Sequence, residues 1–189
     1  MATDKKANEN ASAITSEDEE WMDGASSAFP KVENLAPSIP PNYGPGRLVA
    51  IWALKNGSRK NDQGQVYPFV ETITLVLDNG PNGDQTDELV GSAPVKLDAF
   101  QHSTSGLVAR LTKRVDGKNA KGVPLKYRPM IGRLNTQASK VNKNVPAFSI
   151  SEPTAEDMVV ARKYKDMITG INAELEAKDK ADEDTAAFE

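Results

Sequence analysis

Between Arg110 and Lys143 the chain places ten basic side chains: Arg110, Lys113, Arg114, Lys118, Lys121, Lys126, Arg128, Arg133, Lys140 and Lys143. Asp116 is the one acid among them. Cations at this density suit a polyanion, because each one that meets a phosphate releases condensed counterions. Tyr127 sits inside the run and Phe148 just beyond it. Rings beside cations are what a single strand needs: the cations track phosphates while bases stack on the rings, each stack worth about 1–3 kcal/mol. The competing reading is a solvated face with its rings in the core. Trp52 and Phe69 are expected in the core, whereas Tyr67, Tyr127 and Phe148 fit either place.

Other constellations fail on spacing. The turn Asp78-Asn79-Gly80-Pro81-Asn82-Gly83-Asp84 invites a calcium reading. An EF-hand loop begun at Asp78 would have Gly80 at its third position and Leu89 at its twelfth, where a bidentate Glu is needed. Asp78, Asp84, Asp87 and Glu88 cluster at one turn with no Lys or His to complete a two-metal site. His102 has no Ser or Asp partner at a meaningful position. No P-loop or dinucleotide fingerprint is present, since Gly44-Pro45-Gly46 precedes a strand. The expectation is a non-enzymatic chain with no cofactor and no metal.

Composition agrees. The 189 residues are 38% apolar, 26% charged and 6% aromatic, with no Cys and one His. That excludes a disulfide framework, a thiol nucleophile and Cys-ligated metals. No apolar run reaches the roughly 20 residues of a membrane span, and Met1 to Asn10 lacks the apolar core of a signal peptide. The chain reads as cytoplasmic, with no membrane partner.

The net charge of −4 hides a partition. Residues 1–45 carry three basic and eight acidic side chains, residues 46–150 fifteen and eight, and residues 151–189 five and eleven. A basic middle flanked by acidic ends speaks to partners rather than to fold.

The elements that must carry these groups follow from periodicity and turn chemistry. Residues 1–45, acidic and punctuated by Pro30, Pro37, Pro40, Pro41 and Pro45, are predicted to be a disordered arm. Trp21, Met22 and Phe29 are the exceptions there, able to dock on a partner or on the domain. An OB-like domain is expected over 46–152. Its strands are Arg47 to Leu54, Val66 to Leu77, Leu89 to Leu97, Tyr127 to Leu134 and Val145 to Ile150. A helix at Ser103 to Val115 shows Leu107, Val108, Leu111 and Val115 at helical spacing. Alternation puts Tyr127, Ile131 and Arg133 on one face and Arg128, Met130 and Leu134 on the other.

A second helix opens at Thr154, with Asp157 three residues on in the manner of a capping box. Met158, Ala161, Tyr164, Ile168 and Ile171 form its apolar face, available to the domain or to a second subunit. It is expected to span 153–178, followed by an unstructured acidic tail over 179–189. The fold class is mainly β: a five-stranded OB-like barrel with a short helix between strands 3 and 4. Spacing alone does not establish barrel closure, so an SH3-like barrel and a small antiparallel sandwich stand as the alternatives.

These segments, in this order, resemble the single-stranded DNA-binding proteins encoded by actinobacterial bacteriophages. The resemblance covers about Gly46 to Tyr164. It rests on Gly46-Arg47-Leu48, Val76-Leu77-Asp78-Asn79-Gly80-Pro81 with Gly83, and the helix from Leu107 to Leu111. Beyond these it takes in Met130-Ile131-Gly132-Arg133-Leu134, Pro146-Ala147-Phe148-Ser149-Ile150, Pro153-Thr154, Asp157 and Ala161-Arg162-Lys163-Tyr164. It implies an OB-like fold and sequence-independent binding of single strands in phage DNA replication, recombination or repair, in the host cytoplasm. The end of the chain, Asp182-Glu183-Asp184 with Phe188, is similar to the acidic tails by which bacterial single-strand binding proteins recruit replication and repair enzymes. Here Glu189 follows the Phe.

The expectation is therefore a single-stranded DNA binder, able to form a homo-oligomer, with the ten cations, Tyr127 and Phe148 as its contacts. The alternative is a phage-encoded interaction module, such as a host-enzyme inhibitor or virion accessory, working through its acidic ends.

Overall fold

The computed structural model describes residues 13–22, 35–37, 46–80, 90–92, 94–101, 107–138 and 146–186. Six strands, β1 (Leu35–Pro37), β2 (Leu48–Lys60), β3 (Val66–Val76), β4 (Val95–Gln101), β5 (Met130–Ala138) and β6 (Pro146–Ser151), form one sheet in the order β1-β4-β3-β2-β5-β6. Every pairing is antiparallel. Helix α1 (Leu107–Val115) joins β4 to β5, and α2 (Ala155–Arg162) and α3 (Lys165–Ala186) follow β6.

The mainly-β expectation stands, but the closed five-stranded barrel does not. The sheet has a sixth strand, and no ladder joins β1 to β6 among the described residues. Local periodicity sets the elements, whereas closure depends on which edges meet. Here β1, from the segment expected to be a disordered arm, occupies the edge of β4.

Residues 48–53 are buried throughout, because the sheet is covered on both faces. On one face Val49, Ile51, Val70, Val76, Met130, Leu134 and Ile150 pack with Leu111 of α1. On the other, Leu48, Ala50, Trp52, Leu75 and Ile131 pack with Trp21, Met22, Met158, Ala161 and Ile168. Each of the Val, Leu, Ile and Met side chains contributes about 1.5–3 kcal/mol on burial. Buried polar bonds lock the second layer. Trp52 Nε1 donates to Asn172 Oδ1 at 2.7 Å, and Asn172 Nδ2 donates to the Trp21 carbonyl at 2.9 Å.

Several boundaries move. Residues 13–22 are folded rather than an arm: Asp18 accepts from the Thr15 amide and hydroxyl at 2.9 Å each and pairs with Arg162. The third strand is Val95–Gln101, so Gly91 and Pro94 precede it. The fourth begins at Met130, and Leu125–Tyr127 is a 3-10 turn, so Tyr127 and Arg128 belong to no strand face. Within β5 the alternation holds, with Met130 and Leu134 on the α1 side and Ile131 opposite.

The capping box at Thr154 and Asp157 is present, and Met158, Ala161, Tyr164, Ile168 and Ile171 pack on the outer layer as one face. The helix breaks at Lys163 and Tyr164 and then continues to Ala186. The acidic tail is thus largely helical. Its Ala, Glu and Lys residues favour helix whatever their net charge, and Lys180 pairs with Glu176 one turn back.

Candidate nucleic-acid interface

Many of the expected contacts are engaged inside the molecule. The Arg133 guanidinium binds Asp78 Oδ2 at 2.9 Å, Asp157 Oδ1 and the Gly46 carbonyl. Asp78 also accepts from the Leu48 amide at 2.7 Å and the Gly80 amide at 3.0 Å. Arg133 therefore ties the start of β2, the turn after β3 and the cap of α2 to β5. Burial pushes the Asp157 carboxyl up, but bonds from Arg133 and Thr154 outweigh it and hold it below the usual 3.8.

Arg114 is buried and donates from Nη2 to the Arg128 carbonyl at 2.8 Å. Arg128 Nη1 donates to the Tyr127 carbonyl at 3.0 Å. Tyr127 is itself buried, and its hydroxyl donates to Asp179 Oδ2 at 2.9 Å. That corrects its expected role as an exposed stacking ring. Lys126 pairs with the same carboxylate. Burial opposes the Lys126 charge, yet Asp179 raises its pKa overall; the same contacts, against burial, lower that of Asp179.

Lys113, Lys118 and Lys121 are exposed, and Arg110 is half-buried. Lys140, Lys143 and His102 lie outside the described residues, as do Asp84, Asp87 and Glu88. Phe148 pairs with Thr136 in β6. Among the described residues no trio of His, Cys, Asp or Glu could hold a metal, and no helix is long and apolar enough to cross a membrane.

Lys118 and Lys121 flank an ordered turn. Asn119 Oδ1 accepts from the Lys121 amide at 3.0 Å and the Val123 amide at 2.9 Å, and Gly122 has φ +78°. The turn between β2 and β3 repeats this plan. Asn61 Oδ1 accepts from the Gln63 amide at 3.0 Å and the Gln65 amide at 2.8 Å, and Gly64 has φ +77°. The shared pattern is Asn-x-x-Gly-x: the Asn side chain substitutes for a backbone acceptor, and Gly takes the left-handed conformation without a Cβ clash.

The second of these turns ends a hairpin that the charge count missed. A register shift between Ala53 and Lys55 breaks the β2–β3 ladder, and such an irregularity re-aims the residues beyond it. Cross-strand pairs then place Lys55 with Glu71, Gly57 with Phe69 and Arg59 with Tyr67 on one face. The Phe69 ring lies over Gly57, where an added Cβ would come within 2.5 Å of it. Arg59 sits over the same ring, 4.9 Å from its centroid. Phe69 is only half-buried, so its expected place in the core is corrected. On β4, Lys96 pairs with Glu71. The face thus interleaves Lys55, Arg59 and Lys96 with Tyr67 and Phe69. Alternation across Lys55-Asn56-Gly57-Ser58-Arg59 and Tyr67-Pro68-Phe69 was the signal available in the sequence.

No protein-family model, no curated protein and no solved structure matches this chain.

Proposed function

We propose that this chain binds single-stranded DNA without sequence preference, with its contacts on the outer face of the β2–β3 hairpin and β4. The observation that carries the reading is the interleaving of rings and cations there, with Arg59 over Phe69 at 4.9 Å and Tyr67 beside them. Such a face offers stacking to bases and cations to phosphates. The pairing pattern supports the same reading. Leaving β1 aside, the first strand pairs with the second and fourth, the second with the third, and the fourth with the fifth. We read this as an OB-like sheet left open at one seam. OB folds bind oligonucleotides on the face of strands 2 and 3 and on the loops between strands 1 and 2 and strands 4 and 5. Here those are β3, β4, the turn at residues 61–65 and the segment 139–145, which carries Lys140 and Lys143. A role in phage DNA replication or recombination is what the family resemblance adds.

The test is fluorescence anisotropy of labelled oligo-dT against duplex competitor, over a salt series. The expected result is binding that duplex does not displace and that weakens as salt rises, with Phe69→Ala losing roughly 5–150-fold in affinity, the range of one lost base stack. Absence of binding at low salt would refute the reading and favour an interaction module working through the acidic ends.

A further inference from the structure

An open groove of about 650 Å³ runs beside the hairpin face, between the sheet and the last turns of α3. Leu54, Ile73 and Leu175 give it apolar surface, and Lys55, Lys96 and Lys126 line it together with Asp179. Its size lies within the range of sites that hold a small ligand. It shares Lys55 and Lys96 with the proposed interface, so a strand leaving that face can enter it. In the free chain Asp179 already occupies the position an anion would take, paired with Lys126 and accepting from the Tyr127 hydroxyl at 2.9 Å. The Asp179 side chain is 35% exposed, so this contact is open to exchange with solvent and solutes.

We propose that this groove is a second seat for the single strand, in which a phosphate replaces Asp179 on Lys126 and Tyr127. The proposal rests on the single-strand reading above. The chemistry of the exchange is balanced: one oxyanion leaves the ammonium and the phenol, and another takes both hydrogen bonds. An adjacent base then meets Leu54 and Ile73, whose apolar surface accepts any base without a hydrogen-bond code. Asp182 also lines the groove and stays as its acid on the α3 side. Glu71 is already matched by Lys96. The anchor of α3 does not depend on Asp179, because Ile168 and the Trp52–Asn172 bond hold the helix farther back. Asp179 thus acts as an internal competitor that sets how readily the seat is filled.

The test compares wild type, Asp179→Asn, Lys126→Met and the double variant for binding to labelled oligo-dT across a salt series. Asp179→Asn keeps shape and removes charge. Because the wild type fills the seat only in part, the variant is expected to bind roughly 3–10-fold more tightly at low salt and to steepen the log–log salt slope by up to about 0.7, the value of one phosphate contact on a single strand. Lys126→Met is expected to cancel that gain in the double variant and to weaken binding on its own. Unchanged affinity and slope in Asp179→Asn, or a gain that survives Lys126→Met, would overturn the groove while leaving the hairpin reading in place. Should Asp179→Asn fail to fold, Lys126→Met in the otherwise unchanged chain decides: no loss of affinity overturns the proposal. Absence of oligo-dT binding by every form, wild type included, would overturn both the groove and the reading beneath it.

Discussion

Replacing Arg133 with Met tests the assignment of this residue to the scaffold rather than to DNA. The guanidinium, 24% exposed, faces Asp157 at 8% and Asp78 at 25%. Its loss leaves the Asp157 carboxylate buried with only the Thr154 cap, whose amide donates to it at 3.0 Å. Breaking a fully buried pair costs about 3–5 kcal/mol. Asp78 is open enough to rehydrate, so we place the cost at about 2–3 kcal/mol. In a chain of this size that lowers the thermal midpoint by about 4–12 °C. The pH dependence has a definite sign. In the wild type the Asp157 pKa is lowered below 3.8, so its contribution is present above that value and lost as pH falls through the folded pKa. Without Arg133, burial is opposed only by the Thr154 bonds, so the pKa of Asp157 rises relative to the wild type. The variant then gains a proton first, and the stability gap between the two forms narrows as pH falls from 7 towards 4. Urea unfolding followed by the fluorescence of the buried Trp21 and Trp52 at pH 7, 5.5 and 4.5 measures both effects. A midpoint equal to wild type, or a gap that widens on acidification, would refute the reasoning. Folded Arg133→Met is also expected to keep the wild-type salt slope in oligo-dT binding, because this guanidinium has no phosphate to lose.

Further outcomes follow from other contacts. Asn172→Leu strands the Trp52 indole donor and the Trp21 carbonyl in the outer layer; a loss of about 2–4 kcal/mol is expected in urea unfolding, with a shift in Trp emission. Replacing Lys113, Lys118 and Lys121 with Ala touches exposed side chains away from the hairpin face, so the melting temperature and the oligo-dT salt slope are both expected to stay near the wild-type values, and a slope flattened by about 2 would extend the interface to these lysines. Gly64→Ala and Gly122→Ala place a Cβ at φ +77° and +78°, and each is expected to cost about 1 kcal/mol. Matching losses in calorimetry would confirm that the two Asn-x-x-Gly turns share one geometry.

Some of this architecture was legible residue by residue. Alternation marked β2 and β3, the 3.6-residue period marked α1 and the apolar face of α2 and α3, and Thr154 with Asp157 marked a helix start. These are local signals, each written within one or two turns of chain. Composition misled where charge was taken for disorder. Asp18 lies in an acidic stretch but is held by Arg162, 144 residues away, and the acidic end of α3 is good helix-forming sequence.

The assignment of individual side chains was a matter for tertiary structure. Arg133, Arg114, Lys126 and Tyr127 are indistinguishable in sequence from solvent-facing cations and rings, since their partners Asp157, Arg128 and Asp179 are chosen by how the layers stack. The hairpin face needed the same knowledge: the register shift between Ala53 and Lys55 brings Arg59 to the side of the sheet that Phe69 occupies, and a slip of one residue reverses every side chain after it. Sequence by itself determined the central strands, the helix starts and the placement of basic charge along the chain, because propensity and periodicity act over a few residues. Folding alone decided which of those charges are consumed by acids far away in sequence and which remain at the surface, because a salt bridge depends on distance in space.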